Sequence, residues 1–129
     1  MRRTALVLAG VVLFGGNTAL AGTPDSGIAG LVVAGPTCPV ESVPPAPGCA
    51  PRPLRATVRI RRIGTNDPAT SVRAGADGRF RVPLYPGTYS VRALPYAGLA
   101  LPRPPPASRV RVRAGRYTRV EIRYDTGIR

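Results

Sequence analysis

Residues Asp77–Leu94 read DGRFRVPLYPGTYSVRAL. On both sides of Tyr85-Pro86-Gly87, apolar side chains alternate with polar ones, most of them arginine. A period of two sets Phe80, Val82, Tyr89 and Val91 on one side of an extended chain and Arg79, Arg81 and Arg92 on the other. An unpaired buried guanidinium is prohibitively costly, so the apolar side must face the core. Asp77-Gly78 and Pro86-Gly87 are turn chemistry: glycine accepts positive φ, and proline pre-sets the corner before it.

The same alternation recurs outward from this stretch. Gly27–Gly35 is apolar and β-branched, and Arg55–Ile63, Thr70–Ala74, Ser108–Ala114 and Arg116–Asp125 alternate, separated by Gly- and Pro-rich turns. No segment shows apolar residues at helical spacing. The pattern predicts an all-β, antiparallel β-sandwich of seven short strands. Val58, Ile60, Phe80, Val82, Tyr89, Val91, Val110, Val112, Val120 and Ile122 should point inward. Arg59, Arg61, Arg79, Arg81, Arg92, Arg109, Arg111, Arg113, Arg119 and Arg123 should point out. The Pro-rich stretches, residues 36–53 and 102–106, exclude helix and central strand.

The set Asp77, Gly78, Phe80, Leu84, Pro86, Gly87, Tyr89 and Val91 resembles the signature of carboxypeptidase regulatory-like domains. In these an Asp-Gly turn opens a strand with an inward aromatic, and a Pro-Gly turn leads into Tyr-x-Val. GPTCPV (residues 35–40) and the terminal YDTGIR (residues 124–129) resemble small secreted bacterial proteins of this type. The resemblance implies a prealbumin-like, seven-stranded Greek-key sandwich in which Phe80 and Tyr89 face each other across a hairpin. It implies a non-catalytic module, because the domain is an appendage to a zinc peptidase in its namesake enzymes. The Lys–Asn isopeptide bond of pilin-type relatives needs a lysine that this chain lacks.

The charge narrows the function further. The chain has 129 residues, enough for one core, and a formal charge of +13 carried by 19 basic residues, every one arginine. With no His there is no Ser-His or Cys-His nucleophile and no imidazole metal ligand. With no Lys there is no Schiff base and no P-loop lysine. The few carboxylates sit mostly in turns, where Asp bonds its own backbone. No enzymatic activity and no cofactor is therefore expected. Asp77 and Asp67 could serve as hard oxygen ligands for calcium, but AGADGR lacks the several acidic positions of a calcium loop and reads as an Asp-Gly turn.

Residues 1–21, MRRTALVLAGVVLFGGNTALA, combine a basic start, a short apolar run and an Ala-x-Ala end, the parts of a signal peptide cleaved after Ala21. The run is shorter than the ~20 residues needed to span a bilayer. Residues 22–129 would then form a single secreted, monomeric domain, extracellular or at the cell envelope, with no membrane span. In an oxidising compartment Cys38 and Cys49 most simply pair, clipping the 36–53 loop and adding roughly 3 kcal/mol in the chain-entropy model.

The partner is expected to be an extracellular or envelope macromolecule. Arg109, Arg111, Arg113, Arg119 and Arg123, read as one outward row of a hairpin around Gly115, form a candidate polyanion face. Nucleic acid is disfavoured, since the outward positions offer almost no aromatics for base stacking. The competing reading is a solvated sheet face that repels its own kind, in a chain whose all-arginine usage follows GC-rich codons.

Overall fold

The computed structural model describes residues 24–39, 44 and 46–128. Residues 1–21, expected to be a signal peptide, lie outside them. The chain is all-β, with strands β1 (Gly27–Gly35), β2 (Arg52–Pro53), β3 (Thr57–Arg62), β4 (Thr70–Arg73), β5 (Arg79–Pro83), β6 (Gly87–Ala93), β7 (Ser108–Val112) and β8 (Tyr117–Asp125). One 3-10 turn, Tyr96–Gly98, interrupts the long connection between β6 and β7.

The strands form two four-stranded sheets. In the first, β1 is central. Its whole length pairs with β8 on one edge, while β5 (opposite Gly27–Leu31) and β2 (opposite Val33–Ala34) pair with it on the other. The second sheet has the antiparallel order β4-β3-β6-β7. Burial explains the sequence of β1. A strand paired on both edges, with neither face fully open, reads as an almost continuous apolar run.

Two expectations need correction. The described residues hold eight strands where seven were expected, because Arg52–Pro53 at the end of the Pro-rich loop adds two residues to an edge, where proline is tolerated. The pairing is also not wholly antiparallel, since β1 and β8 run parallel over nine residues each.

The sequence-adjacent pairs β5–β6 and β7–β8 are not hairpins. β5 pairs with β1 and β6 with β3 and β7, so the chain crosses from one sheet to the other at Tyr85-Pro86. Phe80 and Tyr89 are therefore not cross-strand partners; they reach one core from different sheets. Gly78 and Gly87 both take the expected positive φ, 78° and 158°, and Gly87 opens β6.

The core draws on both sheets. Ile28, Val32, Phe80, Val82, Ile122 and Tyr124 come from the first, and Val58, Ile60, Tyr89, Val91, Val110 and Val112 from the second. Of the ten residues expected inside, nine are buried and Val120 is half-buried against the same core. All ten arginines expected outside are exposed. The disulfide joins Cys38 and Cys49, whose Cα atoms lie 5.3 Å apart. Among the described residues no helix is long and apolar enough to cross a membrane.

Tyr124 was not among the expected core residues, yet it is fully buried and donates its hydroxyl to the Leu94 carbonyl across the core. Burial raises its pKa above the ordinary phenol value. A pKa raised in the folded state means that the unfolded chain loses its proton first. The contribution is intact below about pH 10, declines above it, and is gone once the folded-state pKa is passed. Tyr124→Phe should cost about 1–3 kcal/mol at neutral pH by leaving the Leu94 carbonyl unsatisfied. It should also flatten the alkaline fall in stability, as urea titrations between pH 8 and pH 11 would show.

Candidate anion-binding site

The outward side of the second sheet is set by the register. Opposite residues share a face, so Arg59 lies beside Arg92 and Ser71, Arg61 beside Ser90, Ser90 beside Arg109, Thr88 beside Arg111, and Thr57 beside Arg73. The face thus presents six arginines, Arg59, Arg61, Arg73, Arg92, Arg109 and Arg111, all exposed. Between them are only Ser and Thr hydroxyls. None of the four strands contains an Asp or Glu.

The arrangement has relief. Central strand β6 carries the short side chains Thr88 and Ser90, while β3 and β7 on either side carry Arg59, Arg61, Arg109 and Arg111. β3 and β7 are two strand spacings apart, about 10 Å, and successive outward residues on a strand lie about 7 Å apart. The result is a hydroxyl-floored channel along β6 with guanidinium walls, closed at one end by Arg92. Like charges this close destabilise the fold slightly. Arg59 directly opposite Arg92 is such a pair, with no carboxylate in either strand to offset it.

The five arginines expected to form one row are divided. Arg109 and Arg111 belong to β7 of the second sheet, Arg119 and Arg123 to β8 of the first, and Arg113 follows β7. β7 and β8 are edge strands that meet on one flank, where Thr118 Oγ1 donates to the Arg111 carbonyl at 2.7 Å. Along that flank Arg109, Arg111, Arg113 and Arg119 do come together, joined by Arg116, around a depression of about 540 Å³. Arg123 lies elsewhere, over Gly35, where an added Cβ would stand 2.9 Å from its guanidinium. Arg62, a neighbour of the channel in sequence, instead folds back to donate to the Pro86 carbonyl at 2.9 Å.

Two of the carboxylates serve the backbone. Asp77 Oδ1 accepts from the Arg79 amide at 3.0 Å, and Asp125 Oδ1 from the Gly127 amide at 2.9 Å. Among the described residues no group of three or more His, Cys, Asp or Glu is placed to hold a metal ion; Glu41 lies outside those residues. The signal for the channel was present in the sequence as outward Arg59, Arg61 and Arg92. Their alignment with Arg109 and Arg111 follows only from knowing that β6 lies between β3 and β7.

In comparisons with known proteins, no family model, no curated protein and no solved structure matches this chain.

Proposed function

We propose that the chain is an exported, non-catalytic module that binds an acidic polysaccharide along the β6 channel of its second sheet. The two sheets would form a prealbumin-like Greek-key β-sandwich of the carboxypeptidase regulatory-like type, acting outside the cell or at its envelope as a monomer without a cofactor. One observation carries the functional reading: six exposed arginines share a sheet face whose strands contain no carboxylate. An acid-free row of arginines keeps copies of the protein apart, but it also leaves repulsion within the face uncompensated. A polyanion relieves it on binding. The Ser and Thr floor suits hydroxyl-rich sugars, and the face lacks the aromatics on which bases stack.

Heparin, as a carboxylate- and sulfate-bearing probe, tests this. The mature protein should be retained well above physiological salt, with affinity falling steeply as ionic strength rises. The variant Arg59→Ser/Arg61→Ser/Arg109→Ser/Arg111→Ser should bind about 100-fold more weakly, at up to about 1 kcal/mol per exposed contact. Unchanged affinity in a folded variant would refute the channel. Equal retention on single-stranded DNA of matched charge would refute its preference for sugars.

A further inference from the structure

The outward face of the first sheet repeats the relief of the second with different chemistry. Central strand β1 presents Gly27, Ala29, Leu31, Val33 and Gly35, a small and apolar floor. β5 and β8 stand on either side of it. In one row Arg81, Ala29 and Arg119 lie side by side; in the next, Arg79, Leu31 and Glu121 do. The floor and walls enclose a depression of about 810 Å³. Arg81 is held in place, its guanidinium carbon stacked 3.6 Å from the centre of the Tyr117 ring. Stacking uses the flat face of a guanidinium and leaves its N–H edge for an anion.

The methyl group of Ala29 is too short to fill the space between the β5 and β8 backbones, about two strand spacings or 10 Å apart. Arg81 of β5 meets Tyr117 of β8 over β1, which brings its guanidinium toward the Arg119 strand. At the Leu31 end of the same depression Glu121 and Asp77 offset the charge of Arg79. The Ala29 row carries two arginines and no carboxylate, so the charge pattern favours an anionic group over Ala29.

Because both sheets spend their inner faces on one core, their outer faces point away from each other. We infer that the protein is bivalent: Arg81 and Arg119 form a second anion site, so that one monomer bridges two acidic polysaccharide chains. The bridging rests on the channel reading above. The second site rests on its own geometry.

Two readouts separate the two. With a heparin hexasaccharide, calorimetry should give two sites per protein chain; with long heparin, light scattering should show cross-linked aggregates that dissolve again when either component is in excess. Arg81→Ser/Arg119→Ser should reduce the stoichiometry to one and abolish scattering while retaining soluble complexes. Ala29→Glu, which places a carboxylate between the two arginines, should do the same without deleting either. The β6-channel variant should also fall to one site, keeping the one over Ala29. Two sites, or undiminished scattering, in folded Arg81→Ser/Arg119→Ser would overturn the second site and leave the channel standing. An unchanged channel variant beside a depleted Arg81→Ser/Arg119→Ser would overturn the channel alone. A wild-type protein that sediments as a dimer would overturn bridging by a monomer.

Discussion

Gly30→Ala is expected to destabilise the protein by about 3 kcal/mol, enough to lower its melting temperature by roughly 10 °C or more. Gly30 lies directly opposite Phe80 on the core side of β1 and β5. A Cβ there would stand 2.1 Å from Phe80 Cζ and 2.2 Å from Cε1. The ring lies across the strand in the space a side chain would take, and it is only 6% exposed. Overpacking at such a site costs about 1–3 kcal/mol if the ring shifts. If the ring is expelled, the loss approaches the ~3–5 kcal/mol of deleting a core phenylalanine. Phe80→Ala alone should cost about 4 kcal/mol. The double variant should cost less than the sum by about 1–2 kcal/mol, because the alanine methyl enters space the ring has vacated. Urea denaturation of the four proteins measures this, and strict additivity would show that the two positions do not touch.

The Gly30–Phe80 pair also shows where legibility in the sequence stopped. Alternation placed Phe80 inside, because a two-residue period and the cost of burying arginine leave no other choice. It could not say that the ring would lie on a glycine fifty residues earlier in the chain, since that depends on β1 and β5 pairing. The turns at Tyr85-Pro86 and Gly115 misled for a related reason. Two alternating segments joined by a tight Gly or Pro turn look like a hairpin. Alternation fixes which side of a strand faces the core, but a strand in either sheet faces the same core. Here both turns carry the chain across the core instead of back along one sheet. The parallel β1–β8 pairing is non-local in the extreme, joining nearly the first described residues to nearly the last, and no local signal encodes it.

The candidate site follows the same division. That arginines face outward on β3, β6 and β7 was legible residue by residue. That Arg59 and Arg61 face Arg109 and Arg111 across Thr88 and Ser90 required the strand order. A charge count alone does not separate a dispersed positive surface from a channel. The separation comes from the small residues on the central strand, and β1 repeats it on the opposite face.

Gly78→Ala should match Gly30→Ala in cost, at about 3 kcal/mol or more, for a different reason. Gly78 sits where β5 and β2 meet end to end along β1. Its carbonyl accepts from the Val32 amide at 2.7 Å, and the Leu54 amide donates to the Val32 carbonyl at 3.0 Å. With φ at +78°, alanine pays about 1–2 kcal/mol for the left-handed conformation. Its Cβ would also stand 2.3 Å from the Val32 carbonyl oxygen, a backbone atom tied into the sheet. The two costs can be told apart. Asparagine tolerates positive φ, so Gly78→Asn should recover little, because the close approach to Val32 remains. Gly64 provides the contrast, with φ at +87° and nothing within 4 Å of its added Cβ. There asparagine should be nearly neutral and alanine should lose about 1 kcal/mol. Asp77→Ala, which removes only the acceptor for the Arg79 amide, should cost about 1 kcal/mol. If Gly78→Asn were as stable as the wild type, the glycine would be required for its dihedral angle alone. A Gly78→Asn as damaging as Gly78→Ala would place its role in the contact that seats the Asp-Gly turn on β1.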